Sequence, residues 1–264
     1  SILIKRTVYR LKLVFLGTSG CIPDIGDDTA SMLIDDKYLV DVGWDVVRNL
    51  RNKGVDPISV NTVFFTHMHH DHHMSLPAFL FYHLQRKHTL EHLTLVGPKE
   101  DLELVCGLSL DYLQISRFFP ECKPPVLRTI LPGETMALDE VTVTACPSHH
   151  AVPGLCYRFE DAGGKALCLT GDTAYNKPMV EFFKDCDLLV HETSWGPGRA
   201  DPIKNVHVLH SGAEEAGIVA DEAHAKKLFL VHGPQHLVEA CIQSAGKHFS
   251  GPIQWPQQGV PYTV

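Results

Sequence analysis

A run of histidine and aspartate residues in the first third of the chain is the strongest chemical signal in the sequence. His67 and His69 follow residues 60–66, a β-branched and aromatic segment that predicts a strand. At positions i and i+2 the two rings can point to the same side, and Asp71 and His72 in the following turn can reach a second point nearby. The spacing predicts two metal ions; a solvent-exposed His-rich loop is the alternative.

Other potential ligands also follow short apolar runs. Asp172, His191 and His232 each come at the end of such a run, and His149 and His150 follow another one closely. Because the carboxyl ends of neighbouring strands converge on one cleft in α/β sheets, we expect a single site built from distant parts of the chain. For Asp172 the alternative is a turn in which the aspartate merely caps the backbone.

The elements that must position these residues alternate along the whole chain, which favours an α/β sheet architecture over a helical bundle. Predicted strands cover residues 11–16, 31–34, 38–42, 60–66, 93–96, 141–146, 155–160, 166–170, 188–190 and 228–231. Predicted helices cover residues 45–53, 76–86, 100–113 and 211–225, the last with capping-box spacing from Ser211. Since no repeat or linker divides it, we expect residues 1–264 to form one domain.

Composition excludes several classes of protein. The net charge of −8 argues against a generally basic surface for nucleic acid. No run of about 18 uncharged apolar residues is present, so neither a membrane span nor a secretion signal is expected. The 8 cysteines form no C-x-x-C pair, which predicts reduced, mostly buried thiols in a cytoplasmic protein. The unusual feature is the count of 17 histidines, the commonest metal ligand.

The cluster His67, His69, Asp71 and His72 matches the H-x-H-x-D-H motif of the metallo-β-lactamase superfamily, and the resemblance to this superfamily covers nearly the whole chain. The resemblance implies a four-layer αββα sandwich and a dinuclear centre, usually zinc. Manganese or iron would suit the same ligand types. The resemblance implies seven metal ligands: His67, His69, Asp71, His72, His150, Asp172 and His232. Counting back from Tyr157-Arg158 favours His150 over His149, which would then support it.

Further motifs resemble the ribonuclease Z-like branch of that superfamily. These are Phe15 to Thr18, the strand end from Leu167 to Asp172, His191-Glu192-Thr193 and His210-Ser211. The resemblance implies that His210 donates a proton to the leaving oxygen and that Glu192 holds and polarises it. His207 is the substitute for this role, and His191 is a candidate supporting residue. His70 and His73 are more typical of solvated loop positions.

A centre of this kind implies hydrolysis by a metal-bridging hydroxide, with Asp71 orienting or deprotonating the attacking water. No Gly-x-Ser-x-Gly elbow or cysteine motif offers a side-chain nucleophile. The alternative is a metal protein that does not catalyse hydrolysis, either a binding protein with a degenerate site or a redox di-iron module. Redox di-iron members of the superfamily generally carry glutamate where this chain has His69.

Two departures from ribonuclease Z favour a different substrate. Only residues 151–171 separate His150 from Asp172, where that enzyme class carries a long tRNA-binding arm, and residues 233–236 lack its phosphate-binding arginine. We therefore expect a phosphodiesterase on a small or medium ester. The alternatives are tRNA 3′ processing, with nucleic acid gripped by another subunit, and hydrolysis of a carboxylic ester, lactone, thioester or sulfate ester. The helices at 76–86 and 100–113 could support a homodimer.

Overall fold

The computed structural model describes residues 11–264, with the side chain of residue 100 excepted. Expectations for residues 1–10, including their part in the predicted domain, lie outside the described residues. Within the described part, fourteen strands form two sheets of seven. The strands are β1 (Lys12–Gly17), β2 (Ser31–Ile34), β3 (Tyr38–Val40), β4 (Thr62–Phe64), β5 (Thr94–Val96), β6 (Val126–Arg128), β7 (Thr135–Ala137), β8 (Val141–Pro147), β9 (Leu155–Asp161), β10 (Ala166–Leu169), β11 (Leu188–Glu192), β12 (Leu228–Val231), β13 (Ile253–Gln254) and β14 (Pro261–Thr263).

Within residues 11–264, seven α-helices cover the outer faces of the sheets. They are α1 (Val46–Asn52), α2 (Leu76–Lys87), α3 (Lys99–Tyr112), α4 (Ile115–Phe118), α5 (Lys177–Phe182), α6 (Ala213–Glu222) and α7 (Val238–Ala245). Among the described residues, no helix has the length and apolar character needed to cross a bilayer.

The two sheets have matching layouts. The first runs β14-β1-β2-β3-β4-β5-β6 and the second β13-β12-β11-β10-β9-β8-β7. In each sheet one run of strands is parallel (β3 to β6, and β10 to β13) and the rest is antiparallel. Parallel neighbours end at the same edge, which brings the residues after β4 to one edge of their sheet and those after β10, β11 and β12 to one edge of the other.

Three separate apolar cores define four layers. Successive side chains of a strand point to opposite faces, and on β1 Phe15 packs between the two sheets while Val14 and Leu16 pack under the helices. On β12, Phe229 faces the other sheet and Leu230 faces the helices of the second half. This is the αββα sandwich expected from the sequence, and the α/β prediction is confirmed.

Helix α6 begins differently from the prediction. The capping-box interaction uses Gly212 as N-cap, with the Glu215 carboxylate accepting from the Gly212 amide at 2.8 Å. The predicted start at Ser211 is therefore one residue early. The Ser211 hydroxyl instead donates to the Thr173 carbonyl at 2.7 Å, so it ties the helix entrance to the loop after β10.

The sheets are joined at the edge where the predicted ligands lie. His67 forms an isolated bridge with Gly154, and Ser19 forms one with Gly233. The backbone after β10 also approaches the first sheet closely at Gly171, whose φ is +57°. A Cβ there would lie 2.5 Å from the Cβ of Thr66, so glycine is required both for its backbone conformation and for the close approach.

Candidate metal centre

The structure brings all seven predicted ligands to the edge where the two sheets meet. One group of potential ligand atoms comes from His67, His69, His150 and Asp172, and a second comes from Asp71, His72 and His232. Within each group the ligand atoms lie within 4.8 Å of one another. The cluster therefore has the donor set and the grouping expected for two cations, built from loops that follow four different strands.

In the first group, three ring nitrogens face one another. His69 Nδ1 lies 3.1 Å from His67 Nε2 and 3.0 Å from His150 Nε2. The other nitrogen of His150 lies 3.1 Å from the Leu209 carbonyl, which can accept only from an N–H, so the proton is on Nδ1 and Nε2 carries a lone pair. Converging lone pairs are stable when a cation lies between them.

Electrostatics keep these three rings neutral. Burial is the largest cause that lowers the pKa of His67, His69 and His150, and neighbouring imidazoles add to it for all three. The pKa of His67 falls well below its ordinary value. Neutral imidazole is the form that binds metal, so the site is prepared for a cation at neutral pH.

The second group is organised around His72. Its Nδ1 donates to the buried Asp41 carboxylate at 2.8 Å, which leaves Nε2 as the free nitrogen. That Nε2 is buried and makes no well-formed hydrogen bond, although Asp71 Oδ2 lies 3.2 Å away. His232 Nε2 lies 3.1 Å from the same oxygen of Asp71, and its Nδ1 contacts the Ser194 hydroxyl at 2.9 Å.

Asp172 lies between the two groups. Its Oδ2 is 3.6 Å from His67 Nε2 and 3.5 Å from His72 Nε2, and its Oδ1 is 3.5 Å from His232 Nδ1. Burial raises the pKa of Asp172, but the adjacent imidazoles of His232 and His72 outweigh it and hold the pKa well below its usual range. Burial also raises the pKa of Asp71, but its hydrogen bond with His232 and the adjacent imidazole of His72 hold that pKa well below its usual range. The orphaned nitrogen of His72 and the two ionised carboxylates fit a pair of divalent cations.

His210 and Glu192 form an ion pair beside this cluster. His210 Nδ1 donates to Glu192 Oε1 at 2.9 Å and lies 3.7 Å from Asp172 Oδ2. Burial lowers the pKa of His210, but the hydrogen bond and charge of Glu192, with the charge of Asp172, raise it to about 9. Glu192 also accepts from the backbone amides of Thr173, Ser194 and Ser211, which fixes the carboxylate in place.

The remaining predicted histidines lie outside the ligand groups. His149 is exposed and His150 is the one in the cluster. His191 is buried on β11, where its Nδ1 contacts the Glu192 carbonyl at 2.8 Å. The exposed His70 contacts the ring of His73, with centroids 5.7 Å apart. His207 is exposed and belongs to none of the described ligand groups.

Sequence reasoning missed two residues that orient the ligands. Asp41 accepts from the Thr66 amide and hydroxyl, each at 2.8 Å, as well as from His72. The predicted strand at 38–42 enclosed Asp41, whereas β3 ends at Val40, so Asp41 follows the same rule as the ligands: a polar residue directly after an apolar strand. Ser194, the partner of His232, carried no comparable signal.

A cavity of about 350 Å³ opens over the cluster. It is lined by Gly20, Cys21, Ile22, Asp24, His69, Asp71, Asp172, Ser194, His210, His232, Gly233, Pro234 and His236. The opening gives a substrate access to both ligand groups and to His210.

The two packed sheets, with a histidine and aspartate cluster at one edge, define the metallo-β-lactamase fold. The beta-lactamase superfamily domain matches residues 36–233, and the chain belongs to this superfamily of metal-dependent hydrolases. The sequence-based recognition of the superfamily is therefore confirmed.

Relatives in the curated sequences include a ribonuclease Z of Methanothermobacter thermautotrophicus, 24% identical, with 84% of this chain and 86% of the relative covered. An uncharacterised protein of Mycobacterium tuberculosis is 26% identical, with 94% of this chain and 90% of that protein covered. Both alignments span most of each protein.

Solved structures share the fold. The metallo-beta-lactamase fold protein YhfI of Bacillus subtilis superposes with a TM-score of 0.80 at 24% identity, covering 97% of this chain and 100% of that one. The short form of human tRNase Z gives 0.74 at 19% identity, covering 95% and 98%. A diphosphatase of the PhnP family gives 0.69 at 18% identity, covering 97% and 98%.

Proposed function

We propose that the protein is a dinuclear metal-dependent phosphodiesterase that acts on a small or medium substrate. The observation that carries the proposal is the position of Asp172, whose Oδ2 lies between His67 and His72 of the two ligand groups. Bound at these groups, two divalent cations would supply Lewis acidity and lower the pKa of water. Zinc suits the donor set, and manganese or iron would fit the same nitrogen and oxygen ligands.

The chain's own residues then have distinct roles. His67, His69, His150, Asp71, His72, Asp172 and His232 would hold the cations. Asp71 would also orient the attacking water through its carboxylate. His210 would donate the proton that the leaving oxygen needs, since it lines the cavity and is charged through its contact with Glu192.

The second candidate function is tRNA 3′ processing, which the relatives named ribonuclease Z favour. Against it, residues 155–169 contain only the hairpin β9–β10, which leaves no room for an extended tRNA-binding arm between His150 and Asp172. The described residues that line the cavity also include no lysine or arginine. A polyanion would meet little positive charge there beyond the cations themselves.

We place the protein in a reducing compartment such as the cytoplasm. All 8 cysteines are free, and 5 of them are buried. Free buried thiols are typical of proteins kept under reducing conditions.

Turnover of bis(p-nitrophenyl) phosphate by the zinc-loaded protein tests the proposed reaction. Asp172→Ala is expected to lose both metal and activity, because it removes the carboxylate common to the two ligand groups. Two bound metals without turnover of any ester in a broad panel would contradict the proposal and favour a binding protein. Cleavage of a tRNA precursor at a rate above that of small diesters would favour the second candidate.

A leaving-group comparison tests the role of His210. His210→Ala is expected to keep both metals and lose activity by about 10²-fold or more on a phenyl ester. The loss should be smaller on the matching p-nitrophenyl ester, whose leaving oxygen needs less help from a proton. His207→Ala, which removes an exposed histidine three residues away, is the matched control and should retain the wild-type rate. Equal losses of activity on the two esters would contradict the assignment of His210 as the proton donor.

A further inference from the structure

The loop between β11 and α6 contacts the metal cluster at two consecutive residues. The Leu209 carbonyl accepts from His150 Nδ1 at 3.1 Å, and His210 Nδ1 donates to Glu192 at 2.9 Å. Residues 202–208, which lead up to them, form turns that are exposed at every position except 205. One loop therefore orients both a ligand of the first group and the proposed proton donor.

Leu209 has a backbone conformation that needs support from its neighbours. Its φ is +53°, in the left-handed region that a residue with a large side chain rarely adopts. A conformation of this kind costs about 1–3 kcal/mol and persists where the surrounding structure holds it in place. The carbonyl that accepts from His150 depends on this conformation for its direction.

Asn205 supplies contacts that hold this part of the backbone. Its Oδ1 accepts from the His210 amide and its Nδ2 donates to the His210 carbonyl, both at 2.8 Å. Its own backbone carbonyl accepts from the Leu209 amide at 2.9 Å. Oδ1 also accepts from the Trp195 indole at 2.9 Å, which ties the loop to the segment after β11. Because an amide side chain both donates and accepts, it can hold the N–H and the C=O of one residue together.

We propose that Asn205 is a positioning residue for the reaction. By holding the backbone of Leu209 and His210, it aims the His210 ring at the cavity and the Leu209 carbonyl at His150. The proposal rests on the proposed function, in which His210 donates a proton and His150 binds a cation. Asn205 is not among the described residues that line the cavity over the metal cluster, so it acts through its neighbours and not on the substrate.

Leaving-group kinetics of the zinc-loaded protein test the link to His210. Asn205→Ala is expected to lower kcat by about 10-fold on a phenyl phosphodiester and by less on the matching p-nitrophenyl ester, with KM little changed, because the proton donor is misaligned. Asn205→Asp keeps the acceptor for the His210 amide and loses the donor to its carbonyl, so its kcat should lie between those of wild type and Asn205→Ala. Val206→Ala, at an exposed position in the same loop, is the matched control and should retain wild-type kinetics.

Two further measurements test Asn205 without turnover. In competition with a chromophoric chelator, Asn205→Ala should bind zinc about 10-fold more weakly at the first group, which contains His150, and unchanged at the second. In the zinc-free protein, the Nδ1 proton of His210 is held by Glu192 and gives an NMR signal that His210→Ala removes. This proton should exchange with water faster in Asn205→Ala than in wild type or Val206→Ala.

The outcomes separate the positioning role from the proposed function. Wild-type zinc affinity or wild-type proton exchange in Asn205→Ala would overturn the role of Asn205. Equal losses of kcat on the two esters, a loss confined to KM, or no recovery in Asn205→Asp would also overturn it. If the wild-type chain hydrolyses no ester, the proposed function fails, and the zinc affinity and proton exchange still decide whether Asn205 holds His150 and His210 in place.

Discussion

Replacing Asp41 by asparagine isolates the contribution of a residue that supports the metal cluster without belonging to it. Oδ1 of Asp41 accepts from the Thr66 amide, and Oδ2 accepts from the Thr66 hydroxyl and from His72 Nδ1, all at 2.8 Å. Asparagine offers one oxygen for these two positions. Because the φ of Asp41 is +57°, a conformation that asparagine also adopts readily, Asp41→Asn adds little backbone strain.

The size of the effect follows from the tautomer of His72. If the asparagine NH₂ faces His72, the imidazole must carry its proton on Nε2, where a cation would bind. If the NH₂ faces the Thr66 amide instead, a buried donor loses its partner, which costs about 1–3 kcal/mol. We expect zinc affinity to fall by about 10- to 100-fold, the usual effect of removing a partner of a metal-binding histidine.

Competition with a chromophoric chelator measures the two zinc affinities separately when they differ. The second group, which contains His72, should be weakened more than the first. Asp139→Asn, which removes an exposed carboxylate that pairs with Lys37, is the matched control. Wild-type affinity for both zinc ions in Asp41→Asn, with the fold intact, would refute the claim that Asp41 fixes the nitrogen of His72.

Two further variants test the packing and electrostatics of the fold. Gly171→Ala is expected to lower the free energy of unfolding by about 2–4 kcal/mol in urea denaturation, because it combines a positive φ with a Cβ overlap at 2.5 Å. Gly54→Ala, at φ +73° with open space around it, should cost only about 1 kcal/mol, and equal losses would contradict the overlap argument. Asp187 has its pKa lowered to about 2, since hydrogen bonds from Lys165 and Lys226 outweigh the effect of burial. Because the pKa of Asp187 is lowered in the folded protein, its carboxylate stabilises the fold at pH values above its ordinary pKa of 3.8. Asp187→Asn should therefore lose about 1–2 kcal/mol at pH 7, and this difference from wild type should shrink as the pH falls from 4 towards 2; a constant difference would contradict it.

The sequence predicted which side chains gather at one edge of the sheets more completely than it predicted the edge strands themselves. Strands such as β12, at Leu228–Val231, are buried on both faces and appear as continuous apolar runs, which made their ends and the ligands after them visible. The four edge strands of the two sheets, β6, β7, β13 and β14, were not predicted. All three residues of β6 are exposed, and β14 is a short edge strand that begins with proline, so neither has the apolar pattern of a buried strand.

The contacts between the two halves could not be predicted from the sequence for a related reason. Residues 67 and 154 meet in a bridge between sheets, and Asp41 reaches His72 across a separation of 31 positions. Such contacts depend on how the layers stack and leave no periodic signal in the chain. The ligand types and their positions after strands carried the prediction, and the residues that orient them emerged only from the packed structure.

We infer that the seven side chains at the joined sheet edges hold two divalent cations. Anomalous diffraction from crystals of the zinc-loaded protein, collected on both sides of the zinc absorption edge, tests it directly. We expect two zinc peaks, one among His67, His69 and His150 and one among Asp71, His72 and His232, with Asp172 between them. A single peak, or zinc bound only elsewhere on the chain, would contradict it.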